Sequence, residues 1–508
     1  MKPTPIIEQP TGGLNLVDPE HKLREGQVRV SQNFIARNNK VTKIGGTTRY
    51  NATAVSGNIT WAERYYGRTT DGTEIKKAFA FANGTIYVGD DVAGSLASSQ
   101  GAFQTGTYPE SEVIQVSGRS LMFFFNEGLD VPYTYDGNES NSWQKSAITY
   151  KFVQGILWLD RLWAFEKNSN QLYYSKTLYP DNFTDTTDAG SILIGQQEST
   201  IVGLVLYGDY LYIFKENSIY YIEGRTPTEF AVRVVNPFLG CNSRLSIINV
   251  ETAVVFLGSD NELYSFRGTQ ASTRNVTKDL NFKDLLNKNK VKTVACGYHD
   301  DLLRVSYEPS IVESTTVYNS DEIIAPVLEP NSDELPRWSH SRGANISRYS
   351  VWNRFGDKNE LVTGRSDLGC LMYHNRGKNF DGKTIEVKLR SRSIVFAEGY
   401  NARISHYNIT AKPVGDYAID FRTYLNGRLA DFSSNQFNMK GEIIGRGLIN
   451  FSNQVRMNDR IIPFLDKNRG NSIIYELYDN TLNTDFEIYD ITMFVRLKEK
   501  LISQTTGA

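Results

Sequence analysis

The chain of 508 residues is short of the groups on which most protein chemistry depends. It has three cysteines, Cys241, Cys296 and Cys370, without a CxxC pair, and five histidines, at 21, 299, 340, 374 and 406. An odd, scattered set of thiols argues against a disulfide framework and a zinc site, so these cysteines are expected to be small buried hydrophobes. The histidines show neither HExxH nor His-x-His spacing, and no GxSxG elbow, P-loop or GxGxxG occurs. Charge of one sign is also missing. The 55 basic residues against 57 acidic leave a net charge of -2, which excludes a globally basic nucleic-acid binder while leaving local basic faces open. No apolar run approaches the ~18 residues of a membrane-spanning helix. The opening "MKPTPIIEQPTGG" has prolines at 3, 5 and 10 and no apolar core, so no secretory signal is expected. The Asn-x-Ser/Thr triplets at Asn51, Asn83 and Asn275 are accordingly read as turns.

Aromatic residues and glycine are plentiful, with 29 Tyr, 26 Phe and 40 Gly. Aromatic side chains pack well on a pleated surface and glycine serves tight turns, so an all-β fold is expected. A repeat supports it. "YLYIFKENSIYYIEG" (210–224) is two short strands about a polar turn, and the shape returns at 78–90, 121–137, 161–176, 253–268, 295–308 and 361–377. Aligning the second strands on Ile86, Pro132, Leu172, Ile219, Leu263, Leu303 and Leu371 gives steps of 46, 40, 47, 44, 40 and 68 residues. Five of these lie near the ~40–45 residues of a four-stranded propeller blade. Stacking such hairpins about an axis buries both faces, which one hairpin alone cannot do.

The pattern therefore predicts a β-propeller of six or seven blades over 51–378. The acidic, proline-bearing stretch 310–336 is read as an inserted surface loop that accounts for the long last step. Residues 1–50 read as an amino-terminal arm with a hairpin about Asn38-Asn39. From 379 to 508 the repeat gives way to alternating strands such as "KTIEVKLRSRSIVF", which suggests a β-sandwich of jelly-roll type.

Candidate functional residues are few. Lys388, Arg390 and Arg392 alternate in "EVKLRSRS" and fall on one strand face, a ladder that could contact a phosphate backbone without reading bases, or serve as an interface. His299 beside Asp300-Asp301 coincides with a repeat turn and is read as one, since adjacent strand residues point to opposite faces. Carboxylates converging from separate blades remain open, but no catalytic motif, metal or cofactor is expected.

The start of the chain adds a resemblance. "GGLN" (12–15), "LREGQ" (23–27), "NF" (33–34) and a short hairpin running into "KIGGTTRY" (43–50) resemble the lead-in of tail nozzle, tubular-B or packaged-DNA-stabilisation proteins of short-tailed bacteriophages. The likeness is specific over about 40 residues and one of part order elsewhere. It implies a non-enzymatic structural protein of the virion tail, made in the host cytoplasm. It also implies a homo-oligomeric ring, commonly of six, that meets portal, adaptor or other tail proteins and contacts double-stranded DNA non-specifically in its channel. The resemblance makes Gly12, Gly13, Leu14 and Asn15 a candidate assembly arm. The rival expectation is a carbohydrate-binding or glycosidase-type propeller with an accessory sandwich, which requires convergent carboxylates on one propeller face.

Overall fold

The computed structural model describes residues 4–68, 72–90, 94–116, 119–137, 143–195, 199–310, 320–327, 334–352, 359–396, 401–412, 415, 417–426, 428–429, 435–438, 457–461 and 469–498. Seven four-stranded antiparallel units follow one another along the chain. The first comprises Ile59–Arg68, Glu74–Ala82, Thr85–Asp90 and Ala97–Gln100, and the next four blades repeat that order. The innermost strand of each blade packs against that of the next: Ile59–Arg68, Glu110–Val116, Phe152–Trp158, Ile201–Tyr207, Ile248–Asn249, Ala295–His299 and Ile346–Trp352. The seventh packs back on the first, so the ring closes as a seven-bladed propeller.

Aromatic side chains fill the joints. Trp61 of blade 1 meets Phe124 of blade 2 edge-on with ring centroids 5.1 Å apart, and Phe214 of blade 4 lies 4.9 Å from Phe256 of blade 5. Such pairs add about 0.5–1.5 kcal/mol to the gain from apolar burial. Asn83-Gly84, Asp300-Asp301 and Asn38-Asn39 all take positive φ at their hairpin tips, as their turn chemistry predicts. The three cysteines are buried. No helix among the described residues is long and apolar enough to cross a membrane.

Blade 6 corrects the repeat alignment. Its strands are Ala295–His299, Leu302–Tyr307, Asp321–Pro326 and Ser339–Arg342. Leu303 thus lies in a second strand, whereas the other aligned positions lie at third strands. The stretch 310–336 is not simply a loop either, because it contains the third strand, whose Ile323, Ile324 and Ala325 are buried. The extra residues fall before and after that strand, which explains the step of 68.

The first fifty residues are not a separate unit. Thr47–Arg49 pairs with Leu371–His374 and supplies the fourth strand of blade 7. Gln27–Gln32 lies between blade 6 and Val387–Ser391, joining the propeller to the carboxy-terminal part in one twelve-stranded sheet. Thr4–Glu8 pairs with the last long strand, Glu487–Lys498, and so does the hairpin strand Lys40–Lys43. The carboxy-terminal part is therefore a two-sheet unit built from both ends of the chain. Its sheets share a core that includes Ile404, Tyr407 and Met493 from one side and Leu389, Phe421 and Tyr475 from the other.

Candidate functional site

Two places combine charge with access. The first is the outer face of the seam sheet. Strand Val387–Ser391 alternates as its sequence predicts: Val387, Leu389 and Ser391 are buried, while Lys388 and Arg390 are half-buried on the opposite face. Arg392 lies just beyond the strand. The neighbouring strand Ser472–Asp479 places Tyr478 opposite Lys388 and Glu476 opposite Arg390. The next, Ala418–Leu425, places Arg422 opposite Glu476 and Asp420 opposite Tyr478. Basic and aromatic groups thus share one surface, with Arg390 5.0 Å above the Tyr424 ring and Arg422 4.3 Å above that of Tyr478.

This face is largely self-neutralised. Lys388 Nζ is 3.6 Å and Arg422 Nη1 3.1 Å from the carboxylate of Glu476, whose side chain is 1% exposed. Arg390 lies 3.5 Å from Glu20, Arg392 2.5 Å from Glu8, and Arg422 3.6 Å from Asp420. Four cations stand against Glu8, Glu20, Glu476 and Asp420, so the ladder is not an open row of positive charge. Sequence reading found Lys388, Arg390 and Arg392 but missed Arg422, Tyr424 and Tyr478. Their period-2 spacing in "YAIDFRTYLNG" was visible, but the register that sets them beside Lys388 was not.

The candidate arm is likewise spoken for within the chain. Gly12 N donates to Gly26 O, and Gly13-Leu14 pairs in parallel with Gln27-Val28. Leu14 is buried in the core beside Trp338, whose carbonyl accepts the Leu14 N–H at 2.8 Å. Asn15 folds into a turn, its Oδ1 accepting from Val17 N and Asp18 N. Gly12 to Asn15 therefore dock on their own propeller, because the short connection to Gln27 leaves them beside blade 6.

The second place is the propeller axis, which sequence reading could not assemble because its residues come from different blades. Glu110, on the inner strand of blade 2, is 2.9 Å from Arg244 and 2.7 Å from Arg348 of blade 7. Glu112, two residues along, accepts the Leu157 N–H of blade 3 at 3.0 Å, and Glu63 of blade 1 accepts the Arg64 N–H at 3.0 Å. Desolvation is the main cause that pushes the carboxyls of Glu63 and Glu112 up to about 7, and neighbouring Glu110 adds to it. A cavity of about 330 Å³ opens nearby, lined by Tyr108, Glu127, Lys167, Glu216, Arg244 and Lys292 among others. Carboxyls poised near neutrality can give or take a proton. The two arginines, by contrast, hold Glu110 ionised. His299 and Asp300-Asp301 form no such site: Asp301 pairs with Arg37 at 2.9 Å, and His299 Nε2 contacts Asn359 O.

No protein-family model matches the chain, and no curated protein sequence does. Among solved structures, the WD40 domain of a coronin from Toxoplasma gondii aligns with a TM-score of 0.37 and 8% identity, over 65% of this chain and 88% of that one. An ancestral GH74 enzyme aligns with a TM-score of 0.38 and 9% identity, over 76% of this chain and 50% of that one. An exo-β-1,3-galactanase from Phanerochaete chrysosporium aligns with a TM-score of 0.26 and 8% identity, over 89% of this chain and 100% of that one. Identities this low speak to fold only.

Proposed function

We propose that the protein is a structural subunit of a short-tailed bacteriophage tail, a nozzle or hub component that assembles as a ring. In this reading the channel retains packaged DNA and then conducts it during ejection, and the subunit has no catalytic role. The observation that carries the reading is the use made of residues 11–50, where the resemblance to virion proteins lies. They close blade 7, bridge the propeller to the sandwich and pair with the last long strand. A body locked at both ends resists mechanical load better than domains joined by a linker. The balanced basic–aromatic face suits a surface along which duplex DNA slides, since unpaired cations would bind phosphates by counterion release and hold it. Electron microscopy of the purified protein and of the parent particle tests this. The expected result is a ring with a lumen of roughly 20 Å, about the width of duplex DNA. A monomer absent from any virion would overturn it.

A second reading, a carbohydrate-binding or glycosidase-type propeller, is favoured by one observation, the pair of near-neutral carboxyls Glu63 and Glu112 at the axis. It requires oligosaccharide binding or hydrolysis that Glu63→Gln and Glu112→Gln each reduce by about 100-fold or more. Unchanged activity in both variants would rule it out.

A further inference from the structure

Where the amino-terminal arm crosses blade 6 it leaves a cavity of about 270 Å³, away from the axis and outside both readings above. Leu14 and Leu16 of the arm, with Leu285 and Ile323, give it an apolar side. The polar side is built on adjacent strands. Tyr307, Asp321 and Arg342 are cross-strand neighbours in blade 6, and His340 follows on the strand of Arg342. Asp321 is only 2% exposed. Its Oδ2 accepts from Arg342 Nε at 3.0 Å and lies 3.0 Å from His340 Nε2, which is also 3.2 Å from the Tyr307 hydroxyl. Asp321 Oδ1, by contrast, has no hydrogen-bond partner among the described residues. A buried acceptor without a donor is costly, so a site of this kind favours a ligand that brings one.

The charges around the cavity narrow the ligand. Arg29 and Arg342 are matched by Asp284 and Asp321, so a phosphate or an ammonium group would meet as much repulsion as attraction. A neutral molecule rich in hydroxyls both donates and accepts, and suits such a mixed lining. The volume lies below the ~300–1,000 Å³ of sites for drug-sized ligands, which leaves room for a single small ring. We propose that this cavity binds one neutral pyranose unit. Asp321 Oδ1 accepts a sugar hydroxyl, Arg29 or Arg342 donates to its neighbours, and the Leu14, Leu16 and Leu285 side takes the C–H face of the ring.

The test is saturation-transfer NMR on the full chain with methyl glucoside, galactoside and mannoside as probes. At least one should bind saturably. Asp321→Asn and Leu16→Trp, which fills the cavity from the arm, should each weaken that binding by at least about ten-fold, or ~1.4 kcal/mol. Glu112→Gln, at the axis, should leave it unchanged. Circular dichroism and thermal melting identify a variant that fails to fold, and Leu16→Trp keeps the test open should Asp321→Asn do so. Wild-type protein that binds none of the three, binding that survives Leu16→Trp, or binding lost in Glu112→Gln would each overturn the proposal.

Discussion

Lys43 Nζ lies 3.4 Å from Asp479 Oδ2, with each side chain 1% exposed, so the amino-terminal hairpin and the carboxy-terminal sheet share a buried ion pair. Thr484 joins it, accepting from Lys43 at 2.7 Å and donating to Asp479. Burial holds the Lys43 ammonium below its ordinary pKa, and Asp479 opposes that shift. Removing one partner strands the other charge. Lys43→Met should therefore cost about 3–5 kcal/mol, and adding Asp479→Asn should recover much of the loss. Urea denaturation of the two variants checks this, and a double variant no more stable than the single would count against it.

The basic ladder is tied into the fold by the same logic. Replacing Lys388, Arg390 and Arg392 with Ser leaves Glu476 and Glu8 buried beside fewer cations, so the triple variant should lose stability as well as phosphate contact. The expected loss is on the order of 3 kcal/mol. Glu8→Gln in the same background should restore part of it in thermal melting. A triple variant as stable as wild type would show that these pairs contribute nothing to folding.

Glu63 and Glu112 set a pH dependence of defined sign. Their carboxyls rise from 4.5 to about 7 in the folded chain, so the folded state binds more protons than the unfolded one between those values. Their contribution to stability is full below about 4.5, falls as pH rises through that window, and is lost above about 7. The variant carrying Glu63→Gln and Glu112→Gln should melt with a flatter pH profile, and should gain most over wild type above about 7. Parallel melting curves across the window would contradict this.

Gly13 has φ +83°, and a Cβ there would stand 2.7 Å from Arg337 Cα. Gly106, with φ +74°, has nothing within 4 Å of the same position. Gly106→Ala should cost only the left-handed backbone penalty, about 1 kcal/mol, and Gly13→Ala about 2–4 kcal/mol because the arm must also shift. Denaturation midpoints separate the two, and equal losses would mean that the arm yields freely.

How much of this was legible in the sequence follows from the range of each pairing. The blade hairpins are local, so their turns marked them, and seven aligned segments foretold seven blades. Blade 6 misled because its first hairpin, about Asp300-Asp301, has the same texture as a later one, while its third strand sits amid extra residues. Lys388 and Arg390 declared their shared face by period 2. That Glu476 and Glu20 answer their charge was hidden, because register between distant strands leaves no mark in either one. The axial carboxyls were invisible for the same reason.

Closure of the seventh blade has a further consequence during synthesis. Thr47–Arg49 leaves the ribosome early, yet its partner Leu371–His374 follows more than three hundred residues later. Until then one strand with unpaired backbone groups waits beside six nascent blades, and any complementary edge competes for it. A neighbouring nascent chain offers the same edge. Crowding many ribosomes on one message should therefore favour exchange of this strand between copies, and dilute expression should favour the self-closed ring.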